Sequence, residues 1–115
     1  MTYAIGEFSK IVGLSIDTLR YYEKEGLIYP QRTANNLRAY TDHDIQWINF
    51  IKRLKLTGMP IRNIKTYATL RYQGNTTIDE RLILLNDQKS RLAAEQAKLQ
   101  AHIDFLDKKL ILITR

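Results

Sequence analysis

Apolar residues at helical spacing divide the first part of the chain into two short helices. In IGEFSKIV the apolar positions recur every three or four residues, at Ile5, Phe8, Ile11 and Val12, which predicts an amphipathic helix with these side chains inward. Gly13 interrupts the pattern, Ser15 is placed to cap a second helix, and Gly26 ends it. Two helices joined by a short glycine-containing turn form the helix-turn-helix pattern.

The second helix, SIDTLRYYEKEG, has two adjacent tyrosines that fall on different faces. With Leu19 facing inward and about 100° between successive residues, Ile16, Tyr22 and Glu23 lie on the inner side. The opposite side carries Asp17, Tyr21 and Lys24, and Thr18 and Arg20 lie on the flanks. We therefore expect Tyr22 to pack against the core and Tyr21 to point outward. An outward phenol among cations suits a phosphate backbone, although a solvated helix surface is the alternative.

A small hairpin and two further helices are predicted next. In YPQRTANNLRAYT, β-forming residues flank a tight turn, with Arg32 before its tip and Arg38 after it. This hairpin is either a basic wing that contacts DNA or an ordinary surface hairpin. Thr41 and Asp44 resemble a capping box that opens a third helix, which Gly58 ends.

Apolar positions assign an inner face to the third and fourth helices. The third helix presents Ile45, Ile48, Ile51 and Leu54, with Trp47 beside them. Pro60 suits the first turn of the fourth helix, whose predicted inward residues are Ile61, Ile64 and Ala68. Basic residues on these helices form either a second phosphate-binding edge or a solvated face: Arg53, Lys55, Arg62 and Lys65.

A heptad pattern fills the last third of the chain. Thr77 and Glu80 suggest a second capping box, and no Gly or Pro follows up to residue 115. Apolar residues alternate at spacings of four and three over about five heptads, which predicts a helix roughly 55 Å long with a coiled-coil seam. Only Lys89 and Gln96 interrupt the seam. The residues expected to mediate dimerisation are Leu82, Leu85, Leu92, Gln96, Leu99, Ile103, Leu106 and Leu110. The alternative is a helix that folds back on its own domain.

The positive charge is concentrated in the part of the chain before this helix. The chain has 18 Lys and Arg residues against 12 Asp and Glu, a formal charge of +6. Residues 1–75 hold 11 basic and 6 acidic groups, a net +5, whereas residues 76–115 hold 7 and 6, a net +1. Such a basic domain attracts polyanions, so nucleic acid is the first partner to consider and an anionic membrane surface the second.

Composition argues against several other classes of protein. The chain has no cysteine, which excludes disulfides and thiolate metal sites, and its two histidines are far apart in sequence. We find no glycine-rich phosphate loop or supported carboxylate pair, so we expect neither an enzyme nor a metal or cofactor site. The first residues show no signal-peptide pattern, and no apolar run is long enough to span a bilayer. We therefore expect a cytoplasmic protein.

The order of motifs resembles the MerR family of bacterial transcription regulators. YAIGEFSKIVGLSIDTLRYYEKEGLI is followed by NNLRAYTDHDI and IKRLKLTGMPIRNI, so the resemblance runs from Tyr3 to about Leu70. It implies a mainly α fold: a winged helix-turn-helix domain over residues 1–75, then an antiparallel coiled-coil dimerisation helix over residues 76–115. It also implies that Lys55, Pro60 and Ile61 fall in the turn that leads to a second, helical wing.

The resemblance assigns roles to individual residues. Thr18, Arg20 and Tyr21 match recognition-helix positions that meet bases and phosphates, and Arg20 is the best candidate for reading guanine. Arg38 matches the wing arginine, and Tyr40 the aromatic residue that packs the wing onto the domain. The full DNA-binding set expected from sequence and resemblance is Ser15, Asp17, Thr18, Arg20, Tyr21, Lys24, Arg32, Arg38, Tyr40, Lys55, Arg62 and Lys65.

The implied function is regulation of transcription from double-stranded DNA. A homodimer is expected to bind a pseudo-palindromic promoter site and to bend and untwist it, acting on RNA polymerase only indirectly, through the promoter. Two other functions stay open: a coiled-coil interaction module with a basic head, and an accessory factor that bends DNA. The absence of cysteine departs from the metal and redox sensors of the family, so the sequence identifies no inducer.

Overall fold

The computed structural model describes residues 1–114, so Arg115, the last residue of the predicted dimerisation segment, lies outside it. The elements, in chain order, are β1 (Thr2–Tyr3), α1 (Ile5–Val12), α2 (Ile16–Lys24), β2 (Gln31–Arg32), β3 (Arg38–Thr41), α3 (Asp42–Leu56), α4 (Ile61–Gln73) and α5 (Ile78–Thr114). A single 3₁₀ turn, Asn75–Thr77, precedes α5. The prediction of a mainly α fold with a small β-hairpin is confirmed. The chain divides into two compact units, Met1–Arg81 and the segment from Leu82 onward.

The turn between α1 and α2 has the local structure that the sequence predicts. Gly13 caps α1 at φ 71°, a left-handed conformation that costs glycine little. The Ser15 hydroxyl accepts a hydrogen bond from the Thr18 amide at 3.0 Å and so satisfies a free donor at the start of α2. Gly26, at φ 76°, follows the end of α2 and turns the chain back toward the core.

The hairpin is one part of a three-stranded antiparallel sheet with the order β1-β3-β2. Arg32 pairs with Arg38, which places both arginines at the base of a turn in which Asn36 adopts φ 60°. The two-residue strand β1 pairs Tyr3 with Tyr40, a strand that the sequence did not indicate. It fixes the free edge of the hairpin to the start of the domain.

The core of the first unit lies between the helix-turn-helix, the sheet and α3–α4. Its fully or almost fully buried side chains include Phe8, Val12, Leu19, Tyr22, Leu27, Ile28, Tyr40, Trp47, Ile48, Ile51, Leu54, Ile64 and Ala68. The Trp47 indole donates a hydrogen bond to the Leu27 carbonyl at 2.7 Å, which ties α3 to the chain after α2. The prediction that Ile11, Ile16 and Ile61 face inward is wrong, because all three side chains are exposed.

The two predicted capping boxes have different outcomes. Thr41 and Asp44 form a reciprocal capping box at the start of α3, as predicted. The box at Thr77 is wrong, because its hydroxyl donates instead to the Leu70 and Gly74 carbonyls at 2.6 and 2.8 Å. The 3₁₀ turn folds this side chain back into the first unit, where it is buried.

Helix α5 is continuous over 37 residues, as the absence of Gly and Pro predicts. Every residue from Lys89 to Thr114 is exposed, and the seam residues that fall within that segment lie open along the helix. Leu82 is also exposed, and Leu85 is partly covered. No helix within residues 1–114 has both the length and the apolar composition that a membrane crossing requires.

Candidate nucleic-acid interface

The outer face of α2 presents the predicted combination of a phenol and a cation. Tyr21 is 51% exposed, whereas its neighbour Tyr22 is buried, so the two tyrosines separate as the helical geometry predicts. The Arg20 side chain is 56% exposed and lies 3.9 Å from the fully open Asp17 carboxylate. Exposed ion pairs of this kind contribute little to stability, so Arg20 can exchange Asp17 for another acceptor.

The start of α2 is occupied by a local network. The Ser15 hydroxyl donates to the Thr18 hydroxyl at 2.8 Å while it accepts from the Thr18 amide. Ser15 therefore fixes the first turn of the helix. Lys24, in the last turn of α2, is exposed, where a cation also suits the helix dipole.

Three of the predicted DNA-binding arginines line one cleft. Arg20 comes from α2, and Arg32 and Arg38 come from the two strands of the hairpin. The cleft has a volume of about 320 Å³, and its other lining residues are Ala4, Ile5, Asn36 and Leu37. The hairpin thus brings its two arginines to the side of the helix that carries Arg20. Guanidinium groups in this arrangement can bind phosphate oxygens or the edge of guanine.

A single carboxylate from α2 holds both hairpin arginines. Glu23 accepts a hydrogen bond from Arg32 Nη2 at 2.7 Å on one oxygen and from Arg38 Nε at 2.6 Å on the other. The Glu23 side chain is only 23% exposed, so water screens these pairs less than ordinary surface pairs. Arg32 and Arg38 therefore face an internal competitor for phosphate, a role of Glu23 that the sequence did not indicate.

Tyr40 must be removed from the set of direct DNA contacts. Its side chain is completely buried and stacks on Phe8, with ring centroids 4.1 Å apart and planes 8° apart. Burial raises the pKa of its hydroxyl, which finds no hydrogen-bond partner within the described part of the chain. The stack joins β3 to α1, which is consistent with the packing role that the resemblance implies.

The second basic edge is only partly available. Lys65 Nζ donates to a Glu25 carboxylate oxygen at 2.5 Å, which joins α4 to the residue after α2. This bond lowers the pKa of Glu25 and raises that of Lys65. Lys55 donates to the Tyr22 hydroxyl at 3.2 Å, and its ammonium lies 5.6 Å from the Tyr22 ring centroid. Arg62 is exposed, with no carboxylate partner among residues 1–114.

One residue that supports the helix-turn-helix was not indicated by the sequence. The Lys52 ammonium donates to the Val12 carbonyl at 2.6 Å, across the space between α3 and the end of α1. A cation at the carboxyl end of a helix satisfies an otherwise free carbonyl and suits the helix dipole. The pattern of charges alone gave no sign of it, because Lys52 is one of six basic residues in α3 and α4.

The site has the chemistry of polyanion recognition. It combines exposed guanidinium groups, ammonium groups and a phenol on one helix and its neighbouring hairpin. In the described part of the chain, no group of three or more His, Cys, Asp or Glu side chains is arranged to hold a metal ion. A helix-turn-helix followed by an arginine-bearing hairpin defines a winged helix-turn-helix of the DNA-binding type.

Comparison with known proteins assigns the family. The family model described as "MerR HTH family regulatory protein" matches residues 3–70, and the one described as "MerR, DNA binding" matches residues 45–109. This chain therefore belongs to the MerR family of transcriptional regulators, as the sequence motifs predict.

Individual relatives agree with this assignment over most of the chain. An HTH-type transcriptional regulator of Haemophilus influenzae is 38% identical over 112 residues, which cover 96% of this chain and 82% of that protein. The crystal structure of HiNmlR, a MerR family regulator lacking the sensor domain and bound to promoter DNA, is 38% identical with a TM-score of 0.79, covering 96% of this chain and 88% of that one. A MerR family regulator from Bacillus thuringiensis is 31% identical with a TM-score of 0.73, covering 96% and 97% of the two chains.

Proposed function

We propose that this chain binds a pseudo-palindromic promoter site as a homodimer and regulates transcription by bending and untwisting the DNA between its half-sites. In this proposal residues 1–75 read the DNA and residues 76–115 join two copies. The observation that carries the proposal is the pairing of an arginine-lined recognition surface with a long, uncovered heptad seam. The similarity to HiNmlR, which is bound to promoter DNA in its crystal structure, supports the same class of ligand.

The exposed seam of α5 supports dimerisation. Leu99, Ile103, Leu106 and Leu110 are each at least half exposed along one stripe of α5. A row of leucine and isoleucine at heptad spacing is stable only when a partner helix covers it. An antiparallel copy of α5 supplies such a helix, and Gln96 then specifies the register as a polar residue within an apolar seam.

In each protomer of the proposed dimer, the basic side chains and Tyr21 contact different parts of the DNA. Arg20 reads a base edge, and Tyr21 and Lys24 bind phosphate from the outer face of α2. Arg32 and Arg38 contact the flanking backbone from the hairpin, and Lys55, Arg62 and Lys65 form a second contact beyond it. Thr18 and Asp17 lie in the first turn of α2, where the Thr18 hydroxyl can approach a base or phosphate and the Asp17 carboxylate can accept from a base, with Ser15 as the cap.

Distortion of the promoter requires contacts on both sides of its centre. Bending a site of 20–30 base pairs costs on the order of a few kcal/mol, which paired phosphate contacts must supply. Two recognition helices and two sets of wings, joined in one dimer through α5, provide such contacts. RNA polymerase in the bacterial cytoplasm then meets a promoter whose two elements have been realigned.

The direct test is selection of bound fragments from a random duplex pool with the full chain. We expect a two-fold symmetric motif with fixed half-site spacing, and a sedimentation coefficient for the free protein that corresponds to a dimer. A monomeric protein with no sequence preference would contradict the proposal. Binding to an acidic protein but not to duplex DNA would favour a coiled-coil interaction module. A bent but asymmetric product without a promoter-like spacer would favour a DNA-bending accessory factor.

A further inference from the structure

Two glutamates near the end of α2 hold cations from both flanking arms. Glu23 binds Arg32 and Arg38 of the hairpin, and Glu25 binds Lys65 of α4. Three of the cations expected to contact phosphate are therefore paired with carboxylates of the element that reads the bases. The side chains of Arg32, Arg38 and Lys65 are each between about a quarter and two fifths exposed, so all three cations remain within reach of a ligand.

We propose that Glu23 is a specificity-determining residue, which holds the hairpin arginines in register with the recognition helix and thereby disfavours binding to random duplex. The inference rests on the proposed DNA-binding function and extends it to a residue that itself carries the wrong charge for a phosphate. Glu23 acts as a positioning residue, because its carboxylate touches the arginines and not the DNA.

The geometry explains how one carboxylate can affect two classes of DNA differently. Each guanidinium group has five N–H donors in a rigid fork, and the bonds to Glu23 use the Nη2 side of Arg32 and the Nε of Arg38. The other donors remain free but point in directions fixed by α2. Phosphates therefore meet them only when the helix is seated in the groove that its base contacts select.

Random duplex is bound by a different balance of interactions. Such binding depends almost entirely on phosphate contacts and the release of counterions, with no required register. An arginine that is free to rotate can find a phosphate in many positions, whereas an arginine held on Glu23 finds one in few. Removing the carboxylate should therefore add contacts to random duplex, while the operator complex, which already has them, should gain none.

The test compares Glu23→Gln with Glu7→Gln in the full chain. Both variants raise the net charge by one, but Glu7, exposed in the first turn of α1, forms no ion pair within residues 1–114. Affinity is measured by fluorescence anisotropy between about 50 and 200 mM salt, a range over which the affinity due to phosphate contacts falls steeply. The probes are a short random-sequence duplex and the duplex recovered by selection. Thermal unfolding establishes that each variant is folded.

The expected result is a change in the salt dependence on random duplex only. Each added phosphate contact steepens the slope of log K against log salt by about 0.9, or about 3.5-fold in affinity over this range. Glu23→Gln frees two cations and should steepen the slope by about 2 per protomer, whereas Glu25→Gln frees one and should steepen it by about 1. The ratio of operator to random binding should fall in the same order, with Glu7→Gln at the wild-type ratio.

Several outcomes would overturn the inference. Equal slopes for Glu23→Gln and Glu7→Gln would show that the arginines are not restrained by Glu23, and so would an equal change on both duplexes. If Glu23→Gln does not fold, a wild-type slope for Glu25→Gln is the contrary result. A wild-type protein that shows no salt-dependent binding to any duplex would refute the proposed function itself, which separates the two failures.

Discussion

Replacing Leu99 with aspartate tests whether the exposed seam of α5 is a dimer interface. Leu99 is 63% exposed and lies near the middle of the seam, so any alignment of two α5 helices over most of their length would cover it. The adjacent seam positions Gln96 and Ile103 lie three and four residues away on the same stripe. The Leu99→Asp variant therefore places a carboxylate in the region that a partner helix must contact.

The expected loss of affinity follows from burial. Covering a leucine side chain contributes about 1.5–3 kcal/mol, and a symmetric dimer contains two copies, so about 3–6 kcal/mol of association free energy is lost. At about 1.4 kcal/mol per tenfold change, the dimer dissociation constant should rise roughly 100- to 20,000-fold. Burial of the two carboxylates would cost several kcal/mol more for each ion, which favours separation further.

Sedimentation equilibrium on the full chain measures this change directly. Ala94→Asp is the matched control, because Ala94 is exposed on the opposite face of α5. The substitution adds the same charge at a similar position along the helix. We expect Leu99→Asp to be monomeric and to lose preference for symmetric duplex, and Ala94→Asp to behave as wild type. A Leu99→Asp dimer of unchanged affinity would refute the assignment of the seam, and an equal effect of both variants would indicate general helix destabilisation.

Three further predictions concern the recognition surface and the core. Arg20→Ala should cost about 1–3 kcal/mol of operator binding and relax base preference at one position in each half-site, measured by repeating the fragment selection; unchanged selectivity would refute base reading. Tyr21→Phe should weaken binding to all sequences alike, because it removes a phosphate donor, and a loss confined to some operator variants would contradict this role. Tyr40→Phe removes a buried hydroxyl without a described partner, so the free energy of unfolding in urea at pH 7 should rise by about 1–3 kcal/mol. Because burial raises the pKa of this hydroxyl, the folded protein with Tyr40 loses stability as pH rises above about 10, and Tyr40→Phe should reduce that loss. If Tyr40→Phe instead lowers the free energy of unfolding at pH 7, the hydroxyl is hydrogen-bonded.

The boundaries of the helices were predictable because they depend on neighbouring residues. Gly13 and Ser15 determine the turn between α1 and α2, and Thr41 with Asp44 determines the start of α3. These effects act over three or four residues, so a single sequence contains the information. The assignment of Thr77 to a capping box was wrong because its hydroxyl donates to the Leu70 carbonyl instead. This carbonyl is seven residues away and comes close only in the folded chain.

The details of the candidate site were harder to predict for the same physical reason. Helical periodicity separated Tyr21 from Tyr22, because both lie on one element. It could not place Glu23 between two arginines, since the distances from Glu23 to Arg32 and Arg38 depend on how the hairpin packs. Counting charges treats all basic residues as equally available to DNA, whereas their availability depends on which carboxylates the fold brings to them.

Helix α3 contacts the helix-turn-helix and the chain that follows it at three separate points. Lys52 holds the end of α1 through the Val12 carbonyl, Lys55 contacts the Tyr22 hydroxyl, and Trp47 binds the carbonyl after α2. Base reading tolerates errors of only about half an ångström in the position of its side chains. The contacts with α3 therefore stabilise the orientation of α2 together with its own turn. The ion pairs of Glu23 and Glu25 join the hairpin and α4 to the same frame, which supports the proposal that α2 and these two arms contact DNA as one surface.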